Sequence, residues 1–218
     1  MCIRDRNWDE ECPLTREEAV EVLNLPEEEM DSLMECAYAL RTKYKGKKVS
    51  VQLLTNVRSG NCTQNCAYCA QSKDSQAEIE KYKRVSDEKL YGDNDLVDEK
   101  HLARHCIGLS GIGFSDEEIE DLADRIREMK KKDTQICCSI GFLTEKQARI
   151  LKDAGLDRIN HNLNSSRSFY PEICTTHTYD QRVNNIKMLQ SLGFEICSGG
   201  IVGMGESKEA VSYTHLTL

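Results

Sequence analysis

The spacing of apolar residues changes near residue 49, and that change divides the chain. Before it the period is helical. Thr15 and Glu18 form a capping-box pattern at one helix start. Pro26 and the acidic residues after it open a second helix, with the apolar set Met30, Leu33, Met34, Ala37 and Leu40. From VSVQLLTN (49–56) onward, short β-rich runs alternate with amphipathic stretches. RHCIGLSG (104–111) precedes DEEIEDLADRIREMKKK, and QICCSIG (135–141) precedes TEKQARILKDAG. RINHNLN (158–164) precedes TYDQRVNNIKMLQSLG, and EICSGGIVG (195–203) follows. Strand–helix repetition of this kind predicts parallel strands joined by crossovers.

Five such strands are visible. An eight-fold barrel takes roughly 250 residues. The expected fold is therefore α/β, a (β/α)8 TIM-type barrel cut after about its fifth strand and preceded by an N-terminal helical segment. A doubly wound open sheet is the alternative that periodicity leaves standing. The weakest element is SDEKLYGDNDLVDEKH (86–101), where a crossover helix belongs but Gly92, Asp93 and Asn94 sit mid-segment. The organisation read from this is helical extension 7–48 and barrel domain 49–207. MCIRDR (1–6) and 212–218 resemble translated adapter DNA. They are set aside as non-native ends, so Cys2 and His215 carry no function.

Composition narrows the function classes. A net charge of −8 with no basic patch argues against nucleic acid or an anionic membrane as partner. No run of eighteen apolar residues and no signal-peptide core appears, so the expected location is cytoplasmic. Eleven cysteines then matter. In a reducing compartment, clustered thiols point to metal rather than disulfides.

The densest cluster is GNCTQNCAYC, with Cys62, Cys66 and Cys69. Zinc usually closes with four protein ligands, whereas three thiolates suit a cubane iron–sulfur cluster with one open iron. A structural zinc with a distant fourth ligand is the other reading. Cys106, Cys137 and Cys197 each fall mid-strand. Singly such a cysteine is a small hydrophobe, but three on separate strands of one barrel can converge. Asn160, Asn162 and Asn164 alternate along an expected strand and so share a face, where buried amides need partners or a polar ligand. His161 falls on the other face, as a packed residue. GGIVGMGE (199–206) clusters glycines at a strand end, where a ligand can approach the backbone.

The CxxxCxxC loop with Tyr68, NHNLN, FYPEICTTHTYDQR and CSGGIVGMGES together resemble the biotin synthase family of radical S-adenosylmethionine enzymes, over about Val49 to Ser207. The resemblance implies that Cys62, Cys66 and Cys69 hold a [4Fe–4S] cluster whose open iron binds S-adenosylmethionine, cleaved to a 5′-deoxyadenosyl radical. It implies that Cys106, Cys137 and Cys197 hold a [2Fe–2S] cluster that gives up sulfur to dethiobiotin, with Cys138 a bystander. An arginine from a later strand is that cluster's fourth ligand in the family. By the same resemblance Tyr68, Asn162, Asn164, Arg182, Gly199, Ile201, Gly203 and Glu206 contact S-adenosylmethionine, and Asn160 and Asn162 the substrate. Asn164 stands where some members carry aspartate. For Tyr68 and Arg182 the alternatives are simple packing and a solvent-facing helix position. An electron donor such as flavodoxin or ferredoxin and a homodimer are further implications. The competing readings are another radical enzyme of the branch, of hydrogenase-maturase or methylornithine-synthase type, and a structural zinc module. Cys12, Cys36 and Cys174 receive no role.

Overall fold

A computed structural model of the chain describes residues 14–217, with side chains to Tyr213. The stretch 1–6, the first residues of the helical extension, Cys2, Cys12, the His215 side chain and Leu218 lie outside the described residues. Helices α1 (Arg16–Leu23) and α2 (Met30–Lys45) come first, linked by a 3-10 turn at Glu27–Glu29. Then β1 (Gln52–Arg58), α3 (Asp87–Glu99), β2 (Arg104–Leu109), α4 (Asp116–Met129), β3 (Ile136–Ser139) and α5 (Glu145–Asp153) alternate. The chain continues through β4 (Arg158–Asn160), α6 (Tyr170–Ile173), α7 (Tyr179–Ser191), β5 (Glu195–Cys197) and α8 (Lys208–Thr217). The five strands lie in sequence order in one sheet, and each adjacent pair is parallel. The expected α/β architecture is what forms.

One face of the sheet is dry. Thr55, Ile107, Cys138, Ile159 and Ile196 form one register row. The central three of these are fully buried. They pack with Ile119, Ile126, Leu151 and Leu189 from the helices into the main core. Side chains alternate along strands, so the rows on either side point to the inner face. Those rows are Leu54–Cys106–Cys137–Arg158–Glu195 and Asn56–Gly108–Ser139–Asn160–Cys197.

Two sequence expectations change. The 86–101 segment, weakened by Gly92, Asp93 and Asn94, is an uninterrupted helix capped by Ser86. Its polar residues are partnered across the fold. Asp93 accepts from Thr55 at 2.6 Å and Lys89 at 2.7 Å, while Asn94 donates to the Met129 carbonyl and meets His105. Buried hydrogen bonds of this kind outweigh a propensity cost of about 1 kcal/mol. Second, β4 ends at Asn160, so Asn162 and Asn164 lie on a loop rather than alternating along a strand. Asn164 has φ 68°, the left-handed region that asparagine tolerates best after glycine. Ser212 and Tyr213, from the stretch set aside at the C-terminal end, lie in α8: Ser212 is buried, and the Tyr213 ring lies 6.4 Å from Tyr179.

Candidate functional site

At the C-terminal ends of the strands, a cleft of about 260 Å³ collects residues from widely separated parts of the chain. Cys62, Cys66, Cys69 and Tyr68 come from the loop after β1, Asn160, Asn162 and Asn164 from the end of β4 and its loop, and Arg182 from α7. The opening is sized for a small molecule.

The cysteine loop is not a regular element, and it is fixed by bonds to the 173–177 segment. Ala67 N–H donates to the Ile173 carbonyl at 2.9 Å, and Asn65 Oδ1 accepts from the Thr175 and Thr176 backbones. Across the cleft, Gly141 carries the chain past the loop after β2. A Cβ there would lie 2.4 Å from the Ile112 carbonyl oxygen, so only glycine permits that approach.

The three loop cysteines share the cleft, and Cys66 also meets a fourth thiol. Its Sγ lies 3.7 Å from Cys174 Sγ, and Cys174 Sγ lies 3.3 Å from His177 Nδ1. Burial pushes the Cys66 thiol up to about 12, and neighbouring Cys174 adds to the effect. Cys66, Cys174 and His177 are the described residues whose possible ligand atoms cluster within 4.8 Å of one another. A cubane carries each thiolate on a different iron, so its ligands stand farther apart than those around a single ion. Cys62, Cys66 and Cys69 around one cleft fit that donor set.

Asn164 Nδ2 donates to the Tyr68 hydroxyl at 2.6 Å. The Asn160 side-chain oxygen is buried without a partner and belongs to the cleft. His161, expected on the other face, lines the same cleft, and neither ring nitrogen makes a well-formed hydrogen bond, although the Ile140 backbone lies close enough to favour its charged form. Burial, with Arg182 nearby, holds His161 down to about 4, so it is neutral at ordinary pH. Orphaned groups of this kind are what a polar ligand satisfies.

Arg182 is not a solvent-facing helix residue. Its Nε donates to the Tyr170 hydroxyl at 2.5 Å, its Nη1 donates to the Asn162 carbonyl at 3.1 Å, and its Nη2 lies 3.0 Å from His177 Nε2. Thr178 starts its helix with a capping box to Gln181.

The glycine loop adjoins the cleft but supplies none of its lining residues. Gly199 lies beside Asn162, where a Cβ would be 3.6 Å from Asn162 Oδ1. Asn164 N–H donates to the Gly199 carbonyl, and Ile201 N–H donates to the Asn164 carbonyl. The side chains of Ile201 and Glu206, however, line a separate cavity against Ala19, Val22 and Leu23 of α1. The Glu206 carboxylate closes the loop on itself by accepting from Gly203 N–H at 2.7 Å and Met204 N–H at 2.8 Å, with Gly203 at φ 95°.

A second thiol set lies deeper along the strands. Cys106 and Cys137 are opposite each other in register, and Cys197 is one inner-face level nearer the cleft, beside Asn160. All three therefore point to the inner face, while Cys138 is buried on the helix side. As a thiol Cys106 donates to Gln52 Oε1 at 3.2 Å; as a thiolate it is favoured by a bond from the adjacent Cys137 thiol and by Arg104 and Arg158, which together outweigh burial and draw it down to about 7. Cys137 is pushed up in turn, first by that bond and then by burial. A sulfur pair beside two guanidiniums fits thiolate ligation.

Sequence reasoning missed Gln64, Tyr170, Cys174, His161 and His177. The signal for most of them was the FYPEICTTHTYDQR stretch, which supplies Tyr170, Cys174 and His177 together.

Comparison with known proteins places these features in a family. Residues 56–215 match the model of the Radical SAM superfamily. The chain is 40% identical over 199 residues to a biotin synthase of Geobacillus kaustophilus, covering 91% of this chain and 60% of that protein. It is 41% identical to that of Bacillus subtilis (91% and 59%), and 39% identical to that of Rhodopirellula baltica (91% and 56%). The chain thus spans under two thirds of the length of these curated relatives. Among solved structures, methylornithine synthase superposes with a TM-score of 0.85 at 17% identity, covering 95% of this chain and 61% of that one. The hydrogenase maturase HydG of Carboxydothermus hydrogenoformans gives 0.78 at 21%, covering 91% and 47%. At such identities these two speak for the fold alone. The match over 160 of 218 residues, with the cysteine loop at the mouth of a parallel barrel sheet, shows that the chain belongs to the radical SAM superfamily.

Proposed function

We propose that the chain carries the core of a biotin synthase, inserting sulfur into dethiobiotin with S-adenosylmethionine as radical source. The observation that carries this reading is the inner-face trio Cys106, Cys137 and Cys197, a second thiol set below the cysteine loop. A lone cleft cluster needs no such trio. The relatives at about 40% identity, all biotin synthases, support the same reading.

In this proposal Cys62, Cys66 and Cys69 hold a [4Fe–4S] cluster and Cys106, Cys137 and Cys197 a [2Fe–2S] cluster. What these groups supply when bound is one electron for reductive cleavage of S-adenosylmethionine and the sulfur to be inserted. The chain's own residues bind and orient. Arg182 offers a planar fork to the S-adenosylmethionine carboxylate. Tyr68, bonded to Asn164, forms a wall for the adenine. Gly199 lets the ligand approach beside Asn162, and Ile201 acts through its backbone bond to Asn164. Gly203 and Glu206 hold the loop's shape. Asn160 and Asn162 face dethiobiotin, and the unpartnered Asn160 oxygen is free to accept from the substrate's ureido N–H groups. An electron donor of flavodoxin or ferredoxin type and a homodimer follow from the family resemblance. The cytoplasm follows from the need for reduced thiols.

The test expresses the full open reading frame, reconstitutes it without oxygen, and supplies S-adenosylmethionine, reductant and dethiobiotin. Biotin and 5′-deoxyadenosine are expected together by mass spectrometry. Deoxyadenosine without biotin overturns the substrate, and one bound zinc with no iron overturns the radical reading.

A further inference from the structure

Between the cysteine loop and α7 stands a buried polar chain that runs Gln64, His177, then Arg182 with Tyr170. His177 Nδ1 lies 2.9 Å from Gln64 Oε1, and Gln64 sits between Cys62 and Cys66. His177 Nε2 lies 3.0 Å from Arg182 Nη2, 3.2 Å from Arg182 Nε and 2.9 Å from the Tyr170 hydroxyl. Gln64, Tyr170 and His177 are all buried, so the bonds of His177 to Gln64 and Tyr170 are made away from competing water, while Arg182 reaches from them to the cleft.

The donors assign the tautomer. A guanidinium can only donate, so Nε2 must accept, and Nδ1 carries the proton and gives it to Gln64. Burial, followed by Arg182, keeps the ring neutral, with its pKa pushed down to about 4. The same assignment weighs against a metal ion at Cys66, Cys174 and His177. Metal at Nδ1 would need the proton on Nε2, where it would face Arg182.

We propose that His177 is a positioning residue: its neutral ring joins the cysteine loop, through Gln64, to Arg182 and fixes the guanidinium to receive a ligand carboxylate in the cleft. This deepens the reading above and rests on it where the ligand is S-adenosylmethionine. Tyr170 and His177 occupy the Nε side of the fork, and Asn162 O takes one Nη1 hydrogen. The remaining hydrogens of the terminal nitrogens are left for the cleft that Arg182 lines. Without the anchor, an arginine loses the rotamer order that makes its fork selective.

The test measures affinity in the cluster-reconstituted protein for S-adenosylmethionine and for its decarboxylated analogue. His177→Leu should weaken S-adenosylmethionine by about tenfold, the scale of one charge-assisted hydrogen bond. The analogue should bind wild type and variant alike. His177→Gln, which keeps a donor and an acceptor, should restore most of the affinity, and Tyr170→Phe should fall between. Equal weakening of both ligands, or of neither, overturns the inference. If the reconstituted wild type does not bind S-adenosylmethionine, the functional reading falls, and nitrogen NMR of the cluster-free protein then decides the inference alone. There an Nδ1–H neutral His177 and a slowly exchanging Arg182 Nε–H, lost in His177→Leu, support it, and their absence from wild type overturns it.

Discussion

Cys174 stands 3.7 Å from a proposed cluster ligand and yet has no ligand's place in the argument. Its sulfur meets Thr176 and His177 of the segment that clamps the cysteine loop, and Asn65 of the loop itself. Cys174→Ser should therefore leave iron and sulfide content after reconstitution within about a fifth of wild type. Cys66→Ser should lose most of the iron at the loop site. Equal losses in the two variants would make Cys174 a ligand. Gly141 gives a second residue-scale expectation. Gly141→Ala puts a methyl into the Ile112 carbonyl, and overpacking of this kind costs about 1–3 kcal/mol, read as a lower urea midpoint. Neither expectation was legible in the sequence, for one reason. The cysteine spacing declares Cys62, Cys66 and Cys69 locally, whereas Cys174 and His177 gain meaning from partners about 110 residues away. The three asparagines were legible as a polar set but not as a geometry, because nothing in NHNLN announces the positive φ of Asn164.

At the scale of elements, local chemistry was the reliable guide wherever both partners of an interaction lie within one turn. The Thr15–Glu18 capping box forms as expected, and Ser115–Glu118, Thr144–Gln147 and Thr178–Gln181 repeat it on α4, α5 and α7. Thr144→Ala should cost about 1 kcal/mol, seen as a shift in urea midpoint with an unchanged slope. A change in slope instead would mean that α5 frays as a unit. The same cap on α7 has more at stake, since α7 carries Arg182. The cores of the strands were legible because the buried row, Thr55 apart, is apolar. Their ends were not, because β4 and β5 stop after three residues and hand over to loops whose bonds are irregular. Helix α3 shows the opposite failure. Its mid-segment Gly-Asp-Asn weakens the helix expected there, and the support comes from Thr55, Met129 and His105, which bond Asp93 and Asn94 from outside the helix.

Over the whole molecule, three buried histidines set the response to acid. His105 joins β2 to α3, His161 lines the cleft, and His177 holds Arg182. Burial comes first among the causes for each, and all three are pushed from 6.5 down to about 4. The folded state thus refuses protons that the unfolded chain takes up near pH 6.5. Stability from this source is complete above pH 6.5 and is lost as pH falls through the window toward 4. Each shift corresponds to about 3 kcal/mol. Three together rival the roughly 5–15 kcal/mol that holds a domain folded, so unfolding should intervene before pH 4 is reached. Urea midpoints of the cluster-free protein, taken at half-unit steps from pH 7.5 to 4.5, should decline only shallowly down to 6.5, where the lowered Cys106 thiol contributes at most one proton, and then fall steeply. The limiting slope is about 4 kcal/mol per pH unit, three protons' worth. Replacing His105 with Gln, which keeps polar contacts with Thr55 and Asn94 but cannot titrate, should lower that slope by about a third. A flat profile down to pH 5 would mean that all three histidines, the two of the cleft included, take up protons in the folded state. The network that holds Arg182 would then be looser than its hydrogen bonds imply.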